Sequence, residues 1–353
     1  MTTPRTRVGI IGAGSWAVSA HIPALLSRPD VELVGVCRAD LEGAVHLKER
    51  FGFAVATDRY TDLLTLDIDA FIVASPSAYH YEHTSAALRS GAAVLCEKPM
   101  TIDPAEAWEL AAIADTQNQH LLISFGWNFA PLISAARELL TAHPLGTLEH
   151  VTVHMSSATR ELLTNTGSYP DAAADVQPRT ETWTDPTLSG GGYGQAQLSH
   201  ALGLLFHLFP DRIRSVSARV ASPADAPVEI FDAATLTFDS GAIGVLSGGS
   251  SHTGAWGNKH DLQIRAIGTE GQAIIDLLDD RVRIYRPDTG EHRVSAAAGT
   301  GTYDPAGPAL ALIDLVRGGD HNPASGDLGA LTVETLDLLY RSARHNGNPE
   351  TRS

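Results

Sequence analysis

Three short stretches of this sequence carry residue types and spacings suited to chemistry. The first, Gly12-Ala13-Gly14-Ser15-Trp16-Ala17, follows the apolar run 8–11 and opens a helix-like stretch ending near Leu26. Glycines there let the chain turn tightly and approach a pyrophosphate, whose charge meets a helix N-terminus. A plain tight turn has the same composition. The place between a buried strand and a helix favours dinucleotide binding, with Gly12, Gly14, Ser15 and Trp16 as contacts. The second apolar run, 31–37, ends in Arg38-Ala39-Asp40. A carboxylate at that tip accepts from a ribose 2′-hydroxyl, whereas the Arg38 guanidinium suits a 2′-phosphate, so NADP is slightly favoured over NAD. A solvated Arg38 with Asp40 on the ribose is the other reading. The third signal is Ser75-Pro76-Ser77-Ala78-Tyr79-His80 after one buried run and Glu97-Lys98-Pro99 after the next. Both sit at carboxyl ends of strands, where a doubly wound sheet places its ligands.

Further along, Trp127-Asn128 leaves another apolar run, Gly190-Gly191-Gly192 leads into a helix bearing His200, and a late turn reads Gly268-Thr269-Glu270-Gly271. In this order and spacing the motifs resemble the glucose-fructose oxidoreductase/inositol dehydrogenase/MocA (GFO/IDH/MocA) oxidoreductase family, over most of the chain. The resemblance implies an N-terminal Rossmann domain with a doubly wound parallel sheet. It implies a C-terminal domain with a large open, mainly antiparallel sheet covered by helices on one face, which binds substrate and assembles into a homo-oligomer, a dimer or tetramer. By the same analogy Lys98 orients the reacting hydroxyl, Glu97 contacts the cofactor ribose, and Ser75, Pro76, Ser77, His80 and Trp127 complete the NAD(P) site. The family helix carries Asp-x-Gly-x-His, and here Ala196-Gln197-Leu198-Ser199-His200 keeps the His but not the acid or the glycine. Gln197 and Tyr193, three and seven residues before His200, share its face if the segment is α-helical. Bland readings remain beside these: a solvated Lys98 and a core His200. Trp127, Asn128 and Trp183 are candidate substrate contacts, and His21, His143, His207 and His252 are assigned nothing.

These residues need elements to hold them. From 7 to 125 the runs 8–11, 31–37, 70–74, 93–96 and 120–124 alternate with helix-like stretches, which reads as a parallel sheet. Over 101–118, Asp103 is placed to cap, Pro104 takes the first helical position and Glu106 completes the spacing. After about Pro144, alternating runs at 148–158, 213–220, 233–238, 243–247, 262–267, 273–277 and 281–285 read as an antiparallel meander with one face covered. Helices follow at 308–317 and 329–345, and 160–189 reads as a long irregular loop. Two domains are expected, 1–125 binding NAD(P) and 126–353 binding substrate; 353 residues at ~150 per domain agree.

Composition excludes several classes. Lys plus Arg number 25 against 41 Asp plus Glu, a net charge of −16, so no nucleic acid partner is expected. Two cysteines without a patterned second set argue against a disulfide scaffold or a structural metal. The run 8–11 is too short for a signal segment or membrane span, giving the expectation of a cytoplasmic protein. The function expected is NAD(P)-dependent hydride transfer at a secondary hydroxyl or keto carbon of a sugar, cyclitol or related polyol. Alternatives are a glycoside hydrolase or lyase acting through transient oxidation, and a non-catalytic NAD(P)-binding protein, which the loss of the acid at Ala196 would suit.

Overall fold

The computed structural model describes residues 4–169, 177–223, 226–294 and 296–352. They form two compact units, one of 4–124, 177–182 and 305–330, the other of 125–169, 183–304 and 331–352.

The first unit is built on six parallel strands: β1 (Thr6–Ile11), β2 (Val31–Cys37), β3 (Val55–Thr57), β4 (Ala70–Val73), β5 (Ala93–Cys96) and β6 (Leu121–Ile123). Their order is β3-β2-β1-β4-β5-β6. The chain winds outward from β1 on one side and from β4 on the other, so the loops after β1 and β4 diverge at the crevice where such sheets take ligands. Every residue of β4 and β5 is buried, the mark of strands covered on both faces. β3 was not read from the sequence, since only one of its three residues is buried and no apolar run marks it. The helix Pro104–Gln117 starts as the sequence suggests, the Ala105 N–H donating to Asp103 Oδ1 at 2.7 Å, and Asn118 closes it at a φ of 52°.

The first unit departs from the continuous 1–125 division. The apolar helix Gly307–Val316 packs on β4, β5 and β6. The Ile123 N–H donates to the Ala324 carbonyl at 2.8 Å, so the returning chain covers the β6 edge that would otherwise expose unpaired backbone.

The second unit holds nine strands: β7 (Leu148–Ser157), β8 (Ile213–Ala221), β9 (Phe231–Phe238), β10 (Ile243–Ser250), β11 (Asp261–Gly268), β12 (Gly271–Asp276), β13 (Arg281–Arg286), β14 (Gly290–Val294) and β15 (Glu350–Thr351). The order β14-β13-β12-β11-β7-β10-β9-β8-β15 corrects the simple meander. β7 lies between two meanders, antiparallel to β11 and parallel to β10. Burial alternates along the strands, as in β9, so one face is covered. The buried helix Ser199–Leu208 packs on β7, and the helix Pro131–Ala142 on β13 and β14. Residues 331–344 of the helix Gly326–Arg344 are tied to β8, where the Ala218 N–H donates to Ser342 Oγ at 2.8 Å. On the other face Phe231, Ile243, Val245, Ile267 and Tyr285 are exposed. Within the expected loop 160–189, residues 160–163, 181–184 and 186–189 form short helical turns, and 170–176 lie outside the described residues.

Among the described residues no helix is long and apolar enough to cross a membrane, and no group of three or more His, Cys, Asp or Glu could hold a metal ion.

Candidate active site

In the first unit the turn after β1 is shaped by close approach. Gly12 has a φ of 80°, and a Cβ on it would lie 2.3 Å from the Ser75 backbone nitrogen. The N–H groups of Gly12 and Ala13 both donate to the Cys37 carbonyl at 3.0 Å, binding the turn to the end of β2. A glycine cradle pressed between β1 and β4 and opening into a helix fits a dinucleotide pyrophosphate. The helix begins at Ser15 and Trp16 and widens at once into a π-helical turn, Ala17–His21, before the α-helical Ile22–Leu26. At the tip of β2, Arg38 Nε donates to Asp40 Oδ2 at 2.6 Å, and Asp40 Oδ1 accepts from the Gly43 N–H, capping the helix Leu41–Phe51. The Asp40 carboxyl is held low by Arg38 first of all, with a smaller contribution from Arg179. The expected cationic tip is thus an ion pair.

Past β4, Ser75 Oγ lies 2.9 Å from Nδ1 of His83, an imidazole that burial pushes down to about 4. Pro76 and Ser77 lead into a short turn in which the Tyr79 N–H donates to the Pro76 carbonyl. His80 is 1% exposed, and its ring nitrogens meet the Ser75 and Pro99 carbonyls at 2.6 and 2.8 Å. Burial holds the imidazole's pKa down, so its single N–H donates to one of the two carbonyls while the ring packs between the loops after β4 and β5, where the sequence had suggested a cofactor contact.

Glu97-Lys98-Pro99 follows β5, with a cis peptide between Lys98 and Pro99. Glu97 Oε1 accepts from His21 Nε2 at 2.7 Å, and Oε2 accepts from the Lys98 backbone N–H at 3.1 Å. Burial raises the Glu97 carboxyl, but the His21 hydrogen bond and the charges of His21 and Lys98 outweigh it and hold it below the ordinary range. Burial pushes the Lys98 ammonium down to about 8, with Glu97 resisting. A lysine so placed carries a charge at neutral pH and gives it up readily.

In the second unit the Gly190–Gly194 segment is clamped by Glu229, a residue not singled out from the sequence. Its carboxylate accepts from the Gly192 N–H at 2.9 Å to each oxygen, from the Gly194 N–H at 3.1 Å and from the Tyr340 hydroxyl at 2.6 Å. Tyr340 Oη in turn accepts from the Gln195 N–H at 3.1 Å. Beside it lies Asp232, 4% exposed and with neither carboxyl oxygen hydrogen-bonded; burial first and Glu229 second hold it well above the usual carboxylate range.

That clamp feeds a second π-helical turn, Gly194–Leu198, before the α-helix begins at Ser199. The wider i→i+5 turn shifts the phase, so α-helical spacing arithmetic from Tyr193 to His200 fails. Tyr193 is 0% exposed; its hydroxyl donates to the Met155 carbonyl at 3.0 Å and accepts from Ser157 Oγ at 3.1 Å, making it a core anchor and not a substrate contact. Gln197 is buried with its amide oxygen unpartnered, an acceptor suited to a hydroxyl. Asn128 Nδ2 donates to the Gly203 carbonyl on the His200 helix at 3.3 Å, which positions that helix.

His200 sits among rings. Trp127 stands edge-on to it with centroids 5.2 Å apart, Tyr303 at 5.3 Å and Phe125 at 6.3 Å. Trp127 also meets His260 at 4.9 Å and Tyr303 at 4.8 Å. His260 and Tyr303 were not read from the sequence, because each is far along the chain from Trp127 and neither belongs to a motif. Trp183 lies half-buried in the turn Glu181–Thr184. Edge-to-face rings around a histidine form an apolar wall that includes one titratable side chain.

Comparison with known proteins accords with this geometry. Residues 6–125 match the model of an oxidoreductase family with an NAD-binding Rossmann fold, and 133–274 match the GFO/IDH/MocA C-terminal domain. A D-glucoside 3-dehydrogenase of Escherichia coli (strain K12) is 40% identical over 147 residues, 41% of this chain and 42% of that one. A dTDP-3,4-didehydro-2,6-dideoxy-alpha-D-glucose 3-reductase of Streptomyces antibioticus is 26% identical over 296 residues, 84% of this chain and 83% of its own. Among solved structures, GenD2 from gentamicin A biosynthesis in complex with NAD is 25% identical, with a TM-score of 0.76 over 100% of this chain and 98% of that one. The chain belongs to the GFO/IDH/MocA oxidoreductase family.

Proposed function

We propose that this member of the GFO/IDH/MocA oxidoreductase family interconverts a secondary hydroxyl and a ketone on a sugar ring, position 3 of a hexopyranoside being the first choice. The observation that carries the reading is Lys98 at the carboxyl end of β5, desolvated and tethered through Glu97. An NAD(P) bound there would supply the hydride acceptor or donor through its nicotinamide, and Gly12, Gly14, Ser15 and Trp16 would hold the dinucleotide's pyrophosphate. Within the first unit Lys98 is the group to donate to a substrate oxygen and favour its deprotonation, and within the second His200 is the group to take a proton. Trp127, Tyr303 and His260 offer ring faces and edges to the apolar side of the sugar, and Gln197 accepts from a neighbouring hydroxyl. The choice of position 3 draws on the glucoside 3-dehydrogenase and the 3-reductase among the relatives.

Arg38 admits NADP, and because Asp40 offsets part of its charge the preference over NAD is small. The exposed strip Phe231, Ile243, Val245, Ile267 and Tyr285 is the face through which homo-oligomers form, to be checked by solution mass of a Val245→Lys variant. The deciding experiment is an absorbance assay of methyl hexopyranosides and polyols with NAD and NADP. Accumulation of reduced cofactor with a 3-keto product supports the reading. Glycoside cleavage without net reduction of cofactor sinks it in favour of transient oxidation, and binding without turnover in favour of a sensor.

A further inference from the structure

The π-helical turn Ala17–His21 delivers His21, 0% exposed, to the one carboxylate that precedes Lys98. We infer that His21 is a positioning residue for Lys98, acting through Glu97: the 2.7 Å contact from His21 Nε2 holds the Glu97 carboxylate in place, and that carboxylate holds the Lys98 backbone and its charge. The inference deepens the hydride-transfer reading and rests on it for the role of Lys98.

Three observations converge. A carboxylate 8% exposed is costly unless well paired, and here one oxygen is given to His21 and the other to the Lys98 N–H. Among the groups that shift Lys98, Glu97 is the one that favours its ammonium form, against burial. The ionised state of Glu97 depends in turn on His21, which supplies the leading contribution opposing burial. His80, on the helix His80–Arg89, also feels both charges: Glu97 favours its protonated form and Lys98 opposes it. The arrangement is a relay of position and charge, with His21 keeping Glu97 anionic and Glu97 keeping Lys98 cationic near neutral pH. A histidine there merely for packing would need no carboxylate within hydrogen-bond reach.

The test separates hydrogen-bond donation from bulk. His21→Leu removes the donor at similar volume, whereas His21→Gln retains an N–H able to reach Glu97. Titration of Lys98 by NMR of ¹³C-lysine-labelled protein without substrate, assigned by loss of the signal in Lys98→Met, reads the effect independently of turnover. Expected is a midpoint at least one unit lower in His21→Leu, a wild-type midpoint in His21→Gln, and a parallel shift of the alkaline limb of kcat for sugar oxidation. If His21→Leu does not fold, Glu97→Gln must lower the midpoint in the same way while His21→Gln does not. An unmoved Lys98 midpoint in folded His21→Leu, or in Glu97→Gln, overturns the inference. A moved midpoint in a protein that oxidises no sugar upholds the relay and overturns instead the reaction assigned to Lys98.

Discussion

The two units use one local device twice, to different ends. In each, a glycine turn runs into a π-helical segment, Ala17–His21 in the first and Gly194–Leu198 in the second, and a buried histidine follows at its end or within two residues. His21 meets a carboxylate at 2.7 Å, whereas His200 is ringed by Trp127, Tyr303 and Phe125. A carboxylate within hydrogen-bond reach fixes the orientation of one imidazole, whereas edge-on rings pack around the other. The lesson is that the same wide turn can deliver a histidine to quite different partners, a carboxylate in one unit and a ring cluster in the other.

The largest effect should come from the residues assigned to the chemistry. Lys98→Met and His200→Asn should each lower turnover by about 10²–10⁴-fold with NAD(P) binding retained, measured by initial rates and fluorescence titration. Near-wild-type turnover in either would remove that residue from the mechanism. The same Lys98 predicts a pH limit: it loses its proton as pH rises through about 8, so kcat/KM should fall above that value, well before an ordinary lysine at ~10.4 would matter. A limb near 10 would break the assignment.

Arg38→Asp should weaken NADP binding more than tenfold while sparing or improving NAD, read as the ratio of dissociation constants. Equal losses would show that Arg38 does not reach a 2′-phosphate. Ala196→Asp sharpens the comparison by offering His200 an acid of the kind His21 already has. The acidic limb of kcat/KM should then move upward by about one unit, and an unmoved limb in a folded, cofactor-binding variant would mean that the π-helical phase turns position 196 away.

The smallest effect concerns Asp232. Its carboxyl is raised in the folded state, so above the ordinary carboxylate pKa of ~3.9 the folded protein binds more protons than the unfolded one, and stability falls as pH rises through that window. Asp232→Asn should flatten the decline of Tm as pH rises above ~4 in thermal melts. An unchanged slope would place the ionisation elsewhere.

How far the sequence could be read follows from the range of its signals. β2 and β5 appear with the bounds their apolar runs suggested, because a buried parallel strand writes itself as a continuous run. The parallel pairing of β7 with β10 was not legible, since alternation tells which face a residue takes but not which strand lies beside it. The motif at Glu97-Lys98 was local and visible, whereas its partner His21 lies 76 residues earlier and belongs to no pattern. His260 and Tyr303 escaped for the same reason, and Tyr193 was misassigned because spacing arithmetic presumes an α-helix where the chain is wider.

The return of residues 305–330 to the first unit bears on how the chain is made. β6 emerges early, but the strand-edge cover at Ala324 and the helix Gly307–Val316 come about 200 residues later. At roughly 5–20 residues per second of synthesis, that edge stays open for about 10–40 s. During that interval the nascent chain presents an unpaired backbone and an apolar strip to whatever waits at the ribosome exit.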